Sequence, residues 1–321
     1  MCYDFIMFEW KIQKGWEEYR RDFGLGRLAL ATSIFNTFLF AISFFMGGPL
    51  LEAIYPVLFS LIFFLLRERI AKLSSLIIFA LTAISITITI LLNYYLVGLL
   101  DQLSGDLLRY DDIFSAFDLW LYSMPVASFI KIVSGNIFGS YQWLYYDFLQ
   151  ISYMTYYLFP FFGGFFYYSQ LSERNKAKIG RLVGSVLIFF NLNYLLYLIV
   201  PVTGPQYYID LMSELSLPMS FVGKYFNHLV YQSHPNFIDC FPSGHAGISI
   251  LITIWMFKIK NHYRYIFLFF CLGMIQATLG LKYHYTLDVL CAIPFAAFCY
   301  WLSYKFIPQT LEVRKNRKWR F

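Results

Sequence analysis

The sequence predicts an all-α, polytopic integral membrane helix bundle with about eight transmembrane helices. Two features of its composition lead to this fold class: 59% of the 321 residues are hydrophobic, and only 14% are charged. A chain of this kind exposes too little polarity to fold as an ordinary soluble domain. The third observation is that the apolar residues are grouped in runs of roughly 20, the length that crosses a bilayer as a helix.

These runs define the predicted helices in order along the chain. The second and the sixth are short for a membrane span, and no run repeats another closely enough to indicate internal duplication. The predicted spans are residues 28–48, 50–66, 75–98, 143–166, 179–201, 244–259, 263–281 and 286–307.

Residues 1–27, ahead of the first span, are predicted to be a cytoplasmic segment on the membrane surface. They mix basic, acidic and Trp side chains and lack the apolar centre of a cleaved signal peptide. Residues 5–22 have the composition of an amphipathic interfacial helix, so the first span is expected to act as an uncleaved anchor.

The basic residues predict which side of the membrane each connection faces. All but four of the 25 Lys and Arg residues precede the first span or lie on alternate connections after it. Both termini are therefore predicted to be cytoplasmic. The net charge of +6 mostly reflects this orientation in the membrane and does not indicate nucleic-acid binding. The basic tail can lie on anionic lipid. Compact loops favour a bacterial inner membrane.

The opposite, non-cytoplasmic face carries the acidic segment 101–118, the long connection 201–243 and the other four basic residues. Of these four, Arg109 and Lys131 are expected to be loop charges. Lys224 and Lys282 are candidates for binding a phosphate group.

The five cysteines are predicted to be small apolar packing residues, because they show no metal-ligand spacing and mostly fall inside predicted spans. The sequence also lacks a carboxylate cluster for Mg²⁺ and a Gly-rich nucleotide loop. We therefore expect neither a bound metal nor a cofactor.

The stretch CFPSGHAGIS, Cys240 to Ser249, places an imidazole at the mouth of the predicted sixth span. Pro242 suits the first turn of a helix, and Ser243 and Gly244 allow the backbone to approach a ligand. The free N–H groups and the dipole of such a helix end attract phosphate. His245, one residue into the turn, is placed to protonate an oxygen that leaves a phosphorus atom.

The stretch LKYHYTLDV, Leu281 to Val289, connects the last two spans and is therefore expected on the same face as His245. His284 and Asp288 are four residues apart, so they would share one face of a helix. The carboxylate would hold one imidazole nitrogen as N–H and leave the other with its lone pair, as attack on phosphorus requires. Lys282 is the natural partner for a phosphate oxygen.

These residues together predict phosphoryl transfer through a phosphohistidine on His284, with His245 as general acid and then base. A helix-capping role explains His245 alone equally well, and an interfacial ion pair explains His284 with Asp288. Their joint occurrence favours catalysis, because ionisable groups at a membrane edge are costly and usually functional. Gln206, after the Gly204-Pro205 turn, is a further candidate for lining the site.

At these residues the sequence resembles the type 2 phosphatidic acid phosphatase superfamily of membrane phosphatases and phosphotransferases. Its second signature matches Pro242 to His245, and its third, a His and an Asp separated by three residues, matches His284 and Asp288. The resemblance implies His284 as nucleophile, Asp288 as its orienting residue and His245 as general acid. It covers residues 180–305 well and the first half of the chain only by topology.

Two departures from the usual signatures indicate one branch of that superfamily. Ala277 and Thr278 stand where the third signature usually has Ser-Arg, and PVTGPQYY at 201–208 replaces a first signature with Lys ahead of Arg-Pro. The pattern resembles the branch that contains fungal inositol phosphorylceramide synthase, and HYTLDV at 284–289 is similar to sphingomyelin synthases. That branch is rich in enzymes that move a phosphorylated head group, such as phosphoinositol, onto a lipid alcohol.

The sequence thus predicts a metal-independent enzyme that acts on a membrane lipid phosphoester, with water or a lipid or polyol alcohol as acceptor. The alternative is a lipid-binding or transport protein with a degenerate site, which predicts discontinuous spans and paired repeats that the sequence does not show. The predicted organisation is an interfacial segment at 1–27, transmembrane helices and an exofacial loop at 28–140, a catalytic membrane domain at 141–307 and a basic cytoplasmic tail at 308–321.

Overall fold

The structure of the chain is a computed structural model that describes most residues from 75 onward. The described residues are 34–39, 41, 42, 45, 54, 55, 57, 58, 61, 62, 65, 75–104, 109–170, 179–209, 212, 214–232 and 238–306. The predicted interfacial segment 1–27 and the tail 308–321 lie outside the described residues. The first two predicted spans are described only in part.

The described part of the chain is built from helices and the turns between them. Single 3-10 turns lie at Gly139–Tyr141 and Thr155–Tyr157, and a one-turn helix lies at Pro205–Tyr208. Val202 and Asp239 form an isolated parallel bridge. The longer helices are α1 (Ser75–Ser104), α2 (Asp111–Tyr122), α3 (Val126–Phe138), α4 (Gln142–Met154), α5 (Phe159–Gln170), α6 (Ile179–Ile199), α7 (Phe221–Gln232), α8 (Gly244–Lys258), α9 (Arg264–Gly280) and α10 (Thr286–Phe306).

Among the described residues, three helical stretches are long and apolar enough to cross a membrane: Asp111–Tyr157, Ile179–Ile199 and Thr286–Lys305. The apolar helices α8 and α9 are shorter. The prediction of an all-α membrane protein is therefore confirmed. The count of eight spans stays a prediction.

The predicted span 143–166 is two helices, α4 and α5, separated by the 3-10 turn Thr155–Tyr157. The break is explained by Pro160, which has no N–H to donate and whose ring clashes with the carbonyl four residues earlier. Proline is tolerated in a first helical turn, which is where Pro160 lies in α5. The chain therefore ends one helix and starts another at this point.

The acidic segment that we expected in an exofacial loop instead contains the start of α2. Asp111, Phe114 and Asp118 are buried on one face of this helix, while Ile113 and Trp120 are exposed by 60% and 76%. The spacing of the buried residues is that of one helix face. Two carboxylates on the inward face mean that α2 has polar partners within the fold.

The centre of the fold is α8, which is apolar and packs against α5, α6, α9 and α10. A helix that is hydrophobic all round must be buried. Gly247 lies directly against the Phe189 ring, and the Trp255 indole donates a hydrogen bond to Ser185 Oγ at 2.8 Å. The N-terminus of α8, where the candidate site lies, is therefore held in place by the surrounding helices.

Candidate active site

The PSGH turn lies at the N-terminus of α8 and is fixed by hydrogen bonds. Ser243 is the N-cap residue, and its Oγ accepts a hydrogen bond from Ala246 N at 3.3 Å. The prediction that Pro242 lies in the first helical turn is wrong, because Ser243 caps the helix and α8 begins at Gly244. Pro242 follows a cis peptide bond, and its carbonyl accepts a hydrogen bond from Asn193 Nδ2 at 2.9 Å.

Gly244 lies where the backbone of α8 passes closest to α6. A Cβ at this position would lie 2.8 Å from the Tyr197 hydroxyl and 3.1 Å from Asn193 Oδ1. Both α6 side chains are buried. A glycine is therefore required here by close approach, and it brings the first turn of α8 against polar atoms of α6.

His284 and Asp288 are brought together at the N-terminus of α10, although not as two residues of one helix. α10 begins at Thr286, so His284 lies in the turn before it. Nδ1 of His284 is 3.5 Å from Oδ2 of Asp288, and that oxygen accepts a hydrogen bond from Tyr285 N at 2.8 Å. A carboxylate at the third helical position that binds the N-cap N–H is half of a capping box. Asp288 thus fixes the helix start and the imidazole together.

The two imidazoles approach each other across the junction of α8 and α10. The ring centroids of His245 and His284 are 6.2 Å apart, and the ring planes are inclined by 58°. Ser243 N donates a hydrogen bond to the Asp288 carbonyl at 3.2 Å, which joins the two motifs directly. The structure therefore brings the three predicted catalytic side chains into one site.

Two tyrosines of the α4–α5 corner hold the His245 ring. The ring is stacked on Tyr153 with centroids 4.3 Å apart, and its centroid is 3.9 Å from that of Tyr156. Tyr153 also contacts Tyr283, the neighbour of His284, at 4.5 Å between centroids. The break between α4 and α5 therefore supplies the aromatic wall of the site.

Cys240 is a member of the site that the sequence did not predict. Its Sγ is 3.4 Å from Nδ1 of His284 and 3.1 Å from the Tyr283 carbonyl oxygen. Burial, followed by the charges of Asp288, Asp239 and Asp111, raises the pKa of the Cys240 thiol well above its usual value. The thiol is thus kept protonated beside the imidazole.

Cys240, His284 and Asp288 are also the described residues that could hold a metal ion, with donor atoms within 4.8 Å of one another. Structural zinc sites usually have four ligands, and a thiol binds metal as the thiolate. The three donors here are one fewer than a structural zinc site usually has. The same Nδ1 atom is already directed to the Asp288 carboxylate.

The segment 201–206 forms a third side of the site. Gly204 has a φ of 100°, and a Cβ there would lie 2.8 Å from Cys240 Sγ and 2.9 Å from the Tyr283 carbonyl oxygen. Gln206 N donates to the Lys282 carbonyl at 3.1 Å. The Gln206 side chain is buried, and its Oε1 has no hydrogen-bond partner among the described residues.

The two buried carboxylates of α2 hold these motif segments together. Asp111 accepts hydrogen bonds from the N–H groups of Thr203 and Gly204, each at 2.9 Å, and from the Tyr285 hydroxyl at 3.0 Å. Asp118 accepts one from Thr286 N, the first residue of α10, at 3.0 Å. Sequence reasoning missed both residues. The local signal in the sequence is that Asp111, Phe114 and Asp118 recur at the spacing of one helix face.

A sequence profile of the PAP2 superfamily matches residues 136–302, which are just over half of the chain. This part contains His245 and His284. The chain belongs to the PAP2 superfamily. A PA-phosphatase related-family protein of Dictyostelium discoideum is 26% identical over 175 residues, which are 48% of this chain and 31% of that protein. The chain thus matches about a third of that relative's length. No solved structure matches the chain.

These comparisons identify the superfamily and no narrower group within it. The narrower resemblance to inositol phosphorylceramide synthases stays a prediction. The matched relative is from Dictyostelium, and the bacterial membrane expected from the compact loops also stays a prediction.

The two lysines predicted to bind phosphate have different surroundings. The Lys282 ammonium donates to the carbonyl oxygens of Met212 and Leu215, at 2.9 and 3.2 Å, and burial followed by the charge of Lys131 lowers its pKa. Lys224 is exposed on α7, the helix whose Asn227 donates to the Tyr283 hydroxyl at 2.8 Å. Their phosphate-binding roles stay predictions.

A cavity of about 520 Å³ borders the PAP2 site. Residues of α1, α5, α6 and the turn between α4 and α5 form its walls, which are mostly hydrocarbon and tyrosine rings. Asp239, Gly244 and His245 also line it. The cavity has the size of a small-molecule site, whose usual range is about 300–1,000 Å³.

Proposed function

We propose that this protein is a membrane-embedded lipid phosphatase or phospho head-group transferase that acts through a phosphohistidine on His284. The observation that carries the proposal is the placement of two imidazoles from separate segments 6.2 Å apart, one of them beside a buried carboxylate. Membership of the PAP2 superfamily supports the phosphatase-type chemistry. The apolar helices around the site support a lipid as the substrate.

In the first step, His284 attacks the phosphorus atom. Asp288 faces Nδ1 and holds it as N–H, so the lone pair is on Nε2 at the opposite edge of the ring. The Nε2–P bond forms as the bond from phosphorus to the leaving alcohol oxygen breaks. His245 gives that oxygen its proton, and the alcohol departs.

In the second step, His245 acts as a base. It takes a proton from water or from an acceptor alcohol, whose oxygen attacks the phosphorus while the P–Nε2 bond breaks and restores His284. Water as acceptor gives hydrolysis. A lipid or polyol alcohol gives head-group transfer, for example of phosphoinositol, which the departures from the usual signatures favour. Neither step uses a metal ion.

The phosphate group would be held by the N-terminus of α8, where the dipole favours negative charge. Ser243 and Gly244 provide the backbone of this turn. Gln206 lies in the segment that faces Cys240 and Tyr283, and its side-chain NH2 group is the part that would donate to a phosphate oxygen. Gln206, Lys282 and Lys224 are proposed as further phosphate contacts.

The test uses purified protein, a panel of labelled lipid phosphoesters and a chelator in every reaction. His284→Ala is expected to abolish release of phosphate or head group, and Asp288→Asn to lower the rate by roughly 100-fold or more, because misoriented catalytic groups cost that much. Acid-labile, base-stable phosphate on the wild-type protein, absent from His284→Ala, would identify the intermediate. Full turnover by His284→Ala would refute the mechanism. No product from any lipid by folded protein would favour a lipid-binding protein with a degenerate site.

A further inference from the structure

Cys240, His284 and Asp288 present a sulfur, a nitrogen and a carboxylate donor to one small volume on the Nδ1 side of the His284 ring. Their donor atoms lie within 4.8 Å of one another, and all three side chains are buried. His284 Nδ1 is 3.4 Å from Cys240 Sγ and 3.5 Å from Asp288 Oδ2. Two ligand atoms of a tetrahedral zinc ion, with bonds of about 2.0–2.3 Å, are roughly 3.3–3.6 Å apart. Both separations therefore match the edges of a tetrahedral site.

The Asp288 carboxylate has an oxygen that the fold does not use. Its Oδ2 accepts the hydrogen bond from Tyr285 N, whereas its Oδ1 is buried and has no hydrogen-bond partner among the described residues. A buried carboxylate oxygen without a donor is costly, and coordination of a cation removes that cost. Oδ1 is therefore available to an ion while Oδ2 keeps the start of α10 in place.

The backbone around the three donors holds them in position. Cys240 N donates to the Val202 carbonyl at 3.3 Å, and a Cβ at Gly204 would lie 2.8 Å from Cys240 Sγ. His284 N donates to the Thr278 carbonyl at 2.9 Å. An ion that binds here has few groups left to order, which lowers the entropic cost of binding.

The chemistry of the donors selects the class of ion. Thiolate and imidazole suit zinc and similar thiophilic ions, whereas Mg²⁺ and Ca²⁺ take roughly six or more oxygen ligands. Three protein ligands with a fourth position for water are the arrangement of zinc sites that exchange a ligand. The donor set therefore favours Zn²⁺ or Cd²⁺ over the hard divalent ions.

We propose that Cys240, His284 and Asp288 bind a thiophilic divalent ion such as Zn²⁺, and that the bound ion inhibits the enzyme. The inhibition, though not the binding, rests on the proposed function. A neutral imidazole carries one N–H, and a metal ion takes the lone pair of the nitrogen that it binds. With the ion on Nδ1 of His284, the proton of Nδ1 moves to Nε2, so the nitrogen that attacks phosphorus has no free lone pair. The thiol proton of Cys240 is released to solvent.

The first experiment measures turnover of a labelled lipid phosphoester after incubation with Zn²⁺, Cd²⁺ or Mg²⁺ in the absence of chelator. Zn²⁺ or Cd²⁺ in slight excess over the wild-type protein is expected to lower the rate by roughly tenfold or more. EDTA should restore the rate, and a large excess of Mg²⁺ should not lower it. Full turnover in the presence of Zn²⁺ and Cd²⁺ would overturn the inhibition.

Substitution of the sulfur ligand assigns the effect to this site. Cys240→Ser, compared with its own metal-free rate, should need roughly 100-fold more Zn²⁺ for the same inhibition, because loss of a residue behind a metal ligand already costs about 10–100-fold in affinity. Cys299→Ser changes another buried cysteine and is the matched control, with the sensitivity of the wild type. Equal sensitivity of Cys240→Ser and Cys299→Ser would overturn the assignment.

The second experiment detects binding without catalysis and so separates this inference from the proposed function. Cd²⁺ is titrated into protein in which Cys2 is replaced by Ser, and the ultraviolet charge-transfer band of a cadmium thiolate is recorded. One ion per chain is expected in this background and with Cys299→Ser added. Cys240→Ser should abolish the band, and His284→Ala should weaken binding by roughly tenfold or more. Size-exclusion profiles check that each variant folds.

The outcomes of this titration separate the two proposals. A band from protein that turns over no lipid would support the ion site and count against the proposed function. Absence of the band from folded protein, with or without turnover, would overturn the ion site. A band that persists in both Cys240→Ser and His284→Ala would also overturn it.

Discussion

At the scale of single residues, the first turn of α8 packs closely against the side chains of α6. Gly244→Ala would add a Cβ 2.8 Å from the Tyr197 hydroxyl. Overpacking of this kind costs about 1–3 kcal/mol, and a displaced His245 would lower kcat by roughly tenfold or more. The measurement is steady-state turnover alongside thermal stability.

A second substitution tests whether the contact with the Tyr197 hydroxyl causes this loss. Tyr197→Phe removes the oxygen nearest to the added Cβ and leaves only the 3.1 Å contact with Asn193. We expect the double variant Gly244→Ala, Tyr197→Phe to recover part of the activity that Gly244→Ala loses. Losses that simply add would show that the contact with Tyr197 is not the cause.

Cys240 provides a prediction about pH. Its thiol pKa is raised by burial and by the neighbouring carboxylates, and the thiolate is the form that reacts with alkylating reagents. At pH 8.5 an ordinary cysteine is about half ionised, whereas Cys240 should remain a thiol. Maleimide should therefore label Cys240 in denatured protein much faster than in folded protein, as peptide mass spectrometry can measure. Equal rates would contradict this environment.

At the scale of secondary-structure elements, α2 holds together, by hydrogen bonds, the segment at 203–204 and the start of α10. Asp111→Ala would remove the acceptor of three donors from 203, 204 and 285. Each buried donor left unpaired costs about 1–3 kcal/mol, so we expect a loss of about 3 kcal/mol or more in the free energy of unfolding, with loss of activity. Thermal or denaturant unfolding in detergent measures the first effect, and turnover the second.

Asp118→Asn is the graded comparison, because the amide oxygen can still accept from Thr286 N. We expect its effect to be at most about 1 kcal/mol. Asp112→Asn, on the exposed face of the same helix, should change neither stability nor rate. If all three substitutions behaved alike, α2 would matter through its charge rather than through these hydrogen bonds.

The catalytic residues could be predicted from the sequence, whereas the contacts of α2 could not. His245, His284 and Asp288 lie in short local motifs, so their residue types and spacing pointed to one site. Asp111 accepts from residues more than ninety positions away, and no local pattern encodes that contact. The break of the span 143–166 had a local signal in Pro160, which a count of apolar residues does not weigh.

At the scale of the whole molecule, the lysine and arginine pattern makes a prediction about orientation. Lys224 and Lys258 are both exposed, and they lie respectively on α7 and at the end of α8 opposite to the site. In a background with Cys2 replaced, Lys224→Cys should react with a membrane-impermeant thiol reagent added to intact cells. Lys258→Cys should react only after permeabilisation. The reverse pattern would place the site on the cytoplasmic side.

The length of α8 has a consequence for how the rate is controlled. Its 15 residues rise about 22 Å, less than the roughly 30 Å of a bilayer's hydrocarbon core. If Lys258 lies at one boundary of the hydrocarbon core, the imidazole end of α8 would lie below the headgroups of the opposite leaflet. The rate should then depend on the concentration of the substrate within the membrane. Adding inert lipid at a fixed amount of substrate should slow the reaction. Diluting the same vesicles with buffer should leave the rate per enzyme molecule unchanged.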